Sequence, residues 1–150
     1  MEDIYKITSA LNSLRKVNHK RLSRYEAATR HATGEEMKAL FSSFAKQSKM
    51  FTTELERWLM PYAKRFKTLE QKPSLWERMR EALGANPGGD LSIGDFEELE
   101  EEASQTYKNV LSTQIMPFTA LQDIEKQALA IDKVRKTLRE IKSHKGVEVS

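Results

Sequence analysis

Cysteine is absent from this 150-residue chain. That excludes disulfides and thiolate metal sites, and nothing points to an oxidising compartment. Long apolar runs are missing as well: no stretch approaches the ~18–20 uninterrupted apolar residues of a membrane span. The opening residues, Met1-Glu2-Asp3-Ile4-Tyr5-Lys6, do not place a basic segment before an apolar one, so they do not read as a signal peptide. The expectation is a soluble, cytoplasmic, single-domain protein that can bury a core without staples. Several catalytic chemistries also lack their residues. There is no Gly-x-Ser-x-Gly elbow and no thiol nucleophile. The glycine cluster from Gly84 to Gly89 has neither a following Lys-Ser/Thr nor a preceding strand, so it is not a phosphate loop. Nothing specifies catalysis, and no cofactor is expected.

An excess of one charge is also missing: 25 basic and 22 acidic residues leave a net charge of +3. The charges are nevertheless unevenly placed. Arg15, Lys16, Lys20, Arg21, Arg24 and Arg30 crowd the first helical stretch against a single later acid, Glu26, while Asp95, Glu97, Glu98, Glu100, Glu101 and Glu102 crowd a later stretch. The simplest reading is solvated helix faces, with acids favoured near a helix N-terminus. A basic face for nucleic acid or anionic lipid is the alternative. No glycine-rich or aromatic-interleaved basic segment accompanies it, so nucleic acid is not an expected partner.

What is present is helical periodicity. Ile4, Ile7, Leu11, Leu14, Asn18, Leu22, Tyr25, Ala28 and Ala32 recur at steps of three and four, predicting a first helix over about Asp3 to Ala32. Thr33 can cap a second helix, with Glu36 completing a capping box. That helix is predicted from about Gly34 to Phe66, with Met37, Leu40, Phe41, Phe44, Phe51, Leu55, Trp58, Leu59, Tyr62 and Phe66 as its apolar stripe. Pro61 is expected to kink or break it after Trp58 to Met60. Between Lys67 and Gly94 the periodicity gives way to a connection holding a short helix, Leu75 to Leu83, and a loop from Gly84 to Asp90. Adjacent antiparallel helices need only ~2–8 linking residues, so this segment reads as a crossover returning along the bundle. Ser92 and Asp95 offer a cap for a third helix burying Phe96, Leu99, Ala103, Tyr107, Val110 and Leu111. Pro117 precedes a fourth, carrying Leu121, Ile124, Ala128, Ile131, Val134, Leu138 and Ile141. Residues 1–143 then form one domain, and 144–150 a flexible tail.

The fold class expected is therefore all-α: two antiparallel helix pairs joined by a long crossover containing a short helix, which is ferritin-like topology. Tyr25-Glu26-x-Ala28, Phe51-x-x-Glu54-Leu55, Glu100-x-x-Ala103-x-x-x-Tyr107 and Asp132-x-Val134-Arg135 occur in order along the four helices. On these fragments, the chain from about Ala10 to Arg139 resembles a bacterial ferritin-like four-helix-bundle family catalogued as a domain of unknown function. In the iron-binding relatives, two helices each give an inward Glu and two each give Glu-x-x-His. By that resemblance Glu26 and Glu100 match the single-Glu positions. The helix 2 pair falls on Gln47 and Met50, and the helix 4 pair on Ala128 and Ile131. His19, His31 and His144 follow Lys16, Ala28 and Ile141 by three residues, so no Glu-x-x-His survives. Two Glu and one Gln do not make a di-iron site. The resemblance thus implies a degenerate site that holds no metal, with Glu26 and Glu100 semi-buried and held by Tyr25, Tyr107, Gln47 or a basic neighbour. A residual single-metal site, or exposure of these acids, is the alternative.

The functional expectation is a non-catalytic binding or assembly module, with a stress-related bacterial role implied by kinship. Its rivals are a metal-binding or ferroxidase-type bundle using Glu26, Glu100 and Gln47, and a binder of nucleic acid or anionic lipid through the basic face of helix 1. A homo-oligomer is expected, because Trp58, Met60, Tyr62 and Trp76 offer apolar surface that one bundle core does not cover. Asp132 and Arg135 read as a surface pair at i, i+3.

Overall fold

A computed structural model describes residues 3–65 and 92–148 of the chain. Among these residues the structure is all-helical, with four helices and no strand: α1 (Ile4–His31), α2 (Glu35–Arg65), α3 (Ile93–Ser112) and α4 (Phe118–Glu148). The described residues form two compact units. One holds α1 through Val17 together with α3 and α4; the other holds α1 from Asn18 together with α2. The predicted crossover, its short helix at Leu75 to Leu83 and Trp76 lie outside the described residues, except that Ile93 and Gly94 already belong to α3.

Helix boundaries follow local chemistry. Asp3 accepts from Ile7 N through its carbonyl and from Lys6 N through its carboxylate, so it caps α1. At α2 the cap is displaced from the expected Thr33: the Gly34 carbonyl accepts the first helical bond, from Lys38 N at 2.9 Å. Glu35 and Glu36 then fill the first turn, where the helix dipole favours acids. α2 also does not break after Met60 but continues through Pro61 to Arg65. Proline lacks the N–H that would donate to the Arg57 carbonyl, so it removes one ladder bond without ending the helix. Ser92 caps α3 as its sequence predicts. Its hydroxyl accepts from Asp95 N, and the Asp95 carboxylate accepts from Ser92 N at 2.8 Å, which closes the capping box.

The α3–α4 connection is short. Thr113 caps α3, and Gln114 turns the chain with φ 55°, its N–H donating to Leu111 O. The Pro117 carbonyl accepts from Leu121 N, so Pro117 stands at the N-cap of α4 rather than inside its first turn. α4 persists to Glu148, beyond Ser143, where the expected tail begins.

Within each unit the pairs run antiparallel. In the α1–α2 unit, Tyr25 meets Phe41 and Phe44, with ring centroids 6.1 and 5.2 Å apart, while Arg21, one turn earlier, meets Gln47 and Phe51. In the other unit the contacts step from Tyr107–Gln127 through Ser104–Asp132 and Glu101–Arg135 to Glu97–Lys142. Partners that rise on one helix as they fall on the other define opposed directions.

Candidate functional site

The buried residues of α1 follow a heptad: Ile7, Leu11, Leu14, Asn18, Arg21, Tyr25 and Ala28 alternate steps of four and three. Arg21 is therefore not part of a solvated basic face, as the charge pattern suggests, but is 0% exposed. Leu22, expected in the stripe, is only half-buried. The Arg21 guanidinium donates to Asn18 Oδ1 at 2.9 Å and to Gln47 Oε1 at 2.8 Å. Its carbon lies 6.0 Å from the centre of the Tyr25 ring and 5.9 Å from that of Phe51. A cation removed from water requires such donors' partners and polarisable walls. The neighbouring polar residues of α2 are satisfied within their own helix: Ser48 Oγ donates to Phe44 O and Thr52 Oγ1 to Ser48 O, each at 2.8 Å.

The α3–α4 unit repeats the device with other chemistry. Phe96, Glu100, Ala103, Tyr107 and Val110 form the buried heptad of α3, and Ala120, Ile124, Gln127, Ile131, Val134 and Leu138 that of α4. Gln127, not the expected Ala128, occupies the fully buried position; Ala128 is half-buried beside it. Tyr107 donates its hydroxyl hydrogen to Gln127 Oε1 at 2.7 Å, joining the two helices. Asp132 and Arg135 are more than a surface pair. Ser104 Oγ donates to Asp132 Oδ1 at 3.1 Å, and the Arg135 guanidinium reaches Asp132, Ser104 and Glu101 together. The arginine side chain is 16% exposed, so these bonds tie α3 to α4 rather than decorate α4.

The six positions that the family resemblance singles out meet different fates. Glu100 is buried at 0% exposure and takes part in polar contacts, and Ile131 is equally buried. Gln47 is half-buried and committed to Arg21. Glu26 is exposed, so the expectation of a semi-buried acid fails there. Met50 is 52% exposed and is no inward replacement of a histidine. Position 26 is five residues beyond Arg21, off the buried stripe, and position 50 likewise falls between the buried Ser48 and Phe51 turns. Among the expected core aromatics, Phe41, Phe44, Phe51, Phe96 and Tyr107 are buried, and Trp58 is half-buried. Of the apolar surface expected to promote association, Met60 is exposed and Tyr62 half-buried.

Among the described residues, no three His, Cys, Asp or Glu side chains converge closely enough to hold a metal ion, and no helix is long and apolar enough to cross a membrane. The polar groups that do converge are a guanidinium with two amides in one unit, and a phenol–amide pair with a Glu–Ser–Asp–Arg cluster in the other. These groups hold helices in register. No protein-family model, curated protein or solved structure matches this chain.

Proposed function

We propose that the chain is a ferritin-like bundle, with residues 67–94 as its crossover, that has given up di-iron chemistry and acts as a non-catalytic binding or assembly module in the cytoplasm. The observation that supports this most directly is the 2.8 Å bond from Arg21 to Gln47 Oε1. Gln47 is where the resemblance places a ligand, and its oxygen is occupied by the protein's own buried cation. A guanidinium there repels an incoming dication and competes for the same acceptor, whereas a ligand position in a working site faces an open coordination sphere. The exposure of Glu26 takes away a second carboxylate.

Metal content is the test. Protein purified without an affinity tag should carry no stoichiometric iron, manganese or zinc by mass spectrometry of the elements, and adding these ions should leave Tm unchanged. Stoichiometric metal that Glu100→Gln removes would overturn the loss of the site. The assembly role is tested by sedimentation from micromolar to hundred-micromolar protein, where a strictly monomeric mass counts against it. The ferritin-like connectivity fails if a solved structure shows α3 returning directly along α2 through a local hairpin.

A further inference from the structure

The outward face of α2 carries an arrangement that the buried chemistry leaves unused. Lys46, Met50, Thr53, Arg57 and Met60 recur at steps of four and three, with Lys49 beside Met50, so the six share one stripe and all are exposed. Met50 and Met60 are 52% and 58% exposed. Lys46, Lys49 and Arg57 make no ion pair among the described residues. Exposed Glu56 stands at the edge of the stripe, one heptad beyond Lys49, so the face is net basic, and its exposed thioethers suit adaptable protein contacts. The outward face of α3 has the opposite charge. Asp95, Glu98, Glu101 and Glu102 are exposed over its first turns, with no Lys or Arg among them in the helix; Glu101 is held by Arg135 of α4, so Glu98 and Glu102 are the acids this face offers most directly.

We propose that these two faces meet between copies of the chain, the basic and methionine-bearing stripe of α2 from one copy lying along the acidic face of α3 from a second. The inference rests on the assembly reading and names its contact. Charge complementarity selects the occupant. The cations of α2 span roughly 16 Å along the helix axis and the acids of α3 roughly 10 Å, so one face can cover the other. Met50 and Met60 would pack on the aliphatic stems of the acids and of Gln105. Neither face can meet its own equivalent across a two-fold axis, because that would set cations against cations or acids against acids. The contact therefore pairs unlike faces, either reciprocally in a two-fold dimer or head to tail in a ring or chain.

Charge reversal on each face separately tests this. Lys46→Glu/Lys49→Glu/Arg57→Glu and Glu98→Lys/Glu102→Lys are compared with the wild type by sedimentation velocity, with far-UV circular dichroism confirming that each folds. Asp95 and Glu101 are left alone because they cap α3 and hold Arg135. The wild type should associate, and raising salt from about 50 to about 500 mM should weaken association about tenfold. Each variant alone should lose association by about tenfold or more, and mixing the two should restore it, since opposite charges again face each other. A wild type that stays monomeric overturns this contact and the assembly reading together. An oligomer indifferent to both reversals overturns this contact and leaves assembly standing. If reversal on α2 abolishes association while reversal on α3 does not, the α2 face has another acidic partner and the proposal fails.

Discussion

Replacing Arg21 with methionine should cost about 2–5 kcal/mol of folding stability, a large share of the ~5–15 kcal/mol that holds a domain of this size. The figure comes from what the guanidinium holds. Asn18 Oδ1 and Gln47 Oε1 each lose a charged donor, and an orphaned buried acceptor costs about 1–3 kcal/mol. Asn18 is 0% exposed, so water cannot replace the lost donor there. Gln47 is half-buried, so water recovers part of its share. The rings of Tyr25 and Phe51 stand at the outer limit of cation–π distance, and their loss adds only about 0.5 kcal/mol each. Methionine keeps most of the stem packing, which separates the polar loss from a cavity effect.

Urea denaturation followed by circular dichroism reads this directly. With a slope of about 1–3 kcal/mol/M, the midpoint should fall by about 1–3 M while the slope stays constant. Arg21→Lys should fall between the two, because a point ammonium cannot present the fork that spans both amides. An Arg21→Met protein within about 0.5 kcal/mol of the wild type would refute the reasoning. It would mean that the two amides find other donors at no cost and that the buried cation is incidental.

Three other substitutions have defined outcomes. Gln114 holds φ 55°, where a Cβ is disfavoured, so Gln114→Gly should raise stability by about 0.5–1 kcal/mol in thermal denaturation. Arg135→Ala should cost about 1–2 kcal/mol by losing Ser104, Asp132 and Glu101 at once, and Glu101→Ala only a few tenths, since that carboxylate is 59% exposed; equal effects in a double-mutant cycle would contradict the network. Ser92→Ala removes the cap and should cost about 1 kcal/mol by chemical denaturation, with Ser92→Gly costing less.

The apolar stripes made the four helices legible, because a step of three or four residues is visible wherever the buried side chain is apolar. Ile7, Leu11 and Leu14 in α1, and Ile131, Val134 and Leu138 in α4, were all recoverable in this way. The reading faltered where a polar side chain occupies a stripe position. At Arg21 hydrophobicity prefers the adjacent Leu22, and at Gln127 it prefers Ala128, although a strict alternation of three and four passes through the polar residue in both cases. Continuing the heptad against the hydrophobic signal would have found both. Partners across helices, such as Gln47 for Arg21 or Ser104 for Asp132, are set by pairing register and leave no trace in the spacing along one helix. Of the resemblance-based positions, Glu26 and Met50 lie one residue off a buried stripe position and face solvent, whereas Glu100 and Ile131 lie on the stripe.

The polar residues on the buried stripes act as register marks. Seven residues of slip between α3 and α4 would preserve a purely apolar heptad seam, since every stripe position would meet another stripe position. It would also bring Tyr107 opposite Val134 or Ala120 in place of Gln127, burying its hydroxyl without the acceptor it now has, at a cost of about 1–3 kcal/mol. Ser104 would lose Asp132 in the same step, and Arg135 would lose both. In the α1–α2 unit, slip in one direction sets Arg21 against Leu40, which offers no acceptor, whereas slip in the other sets it against Glu54, so the arginine marks register in one direction only. Replacing each buried polar group together with all its partners by apolar residues would pack as well or better, whereas removing one partner orphans the others, so the set as a whole contributes little to stability that leucine could not. What it adds is a penalty on the wrong pairings. That is the property an assembly module needs if its outward faces are to be presented in one fixed alignment.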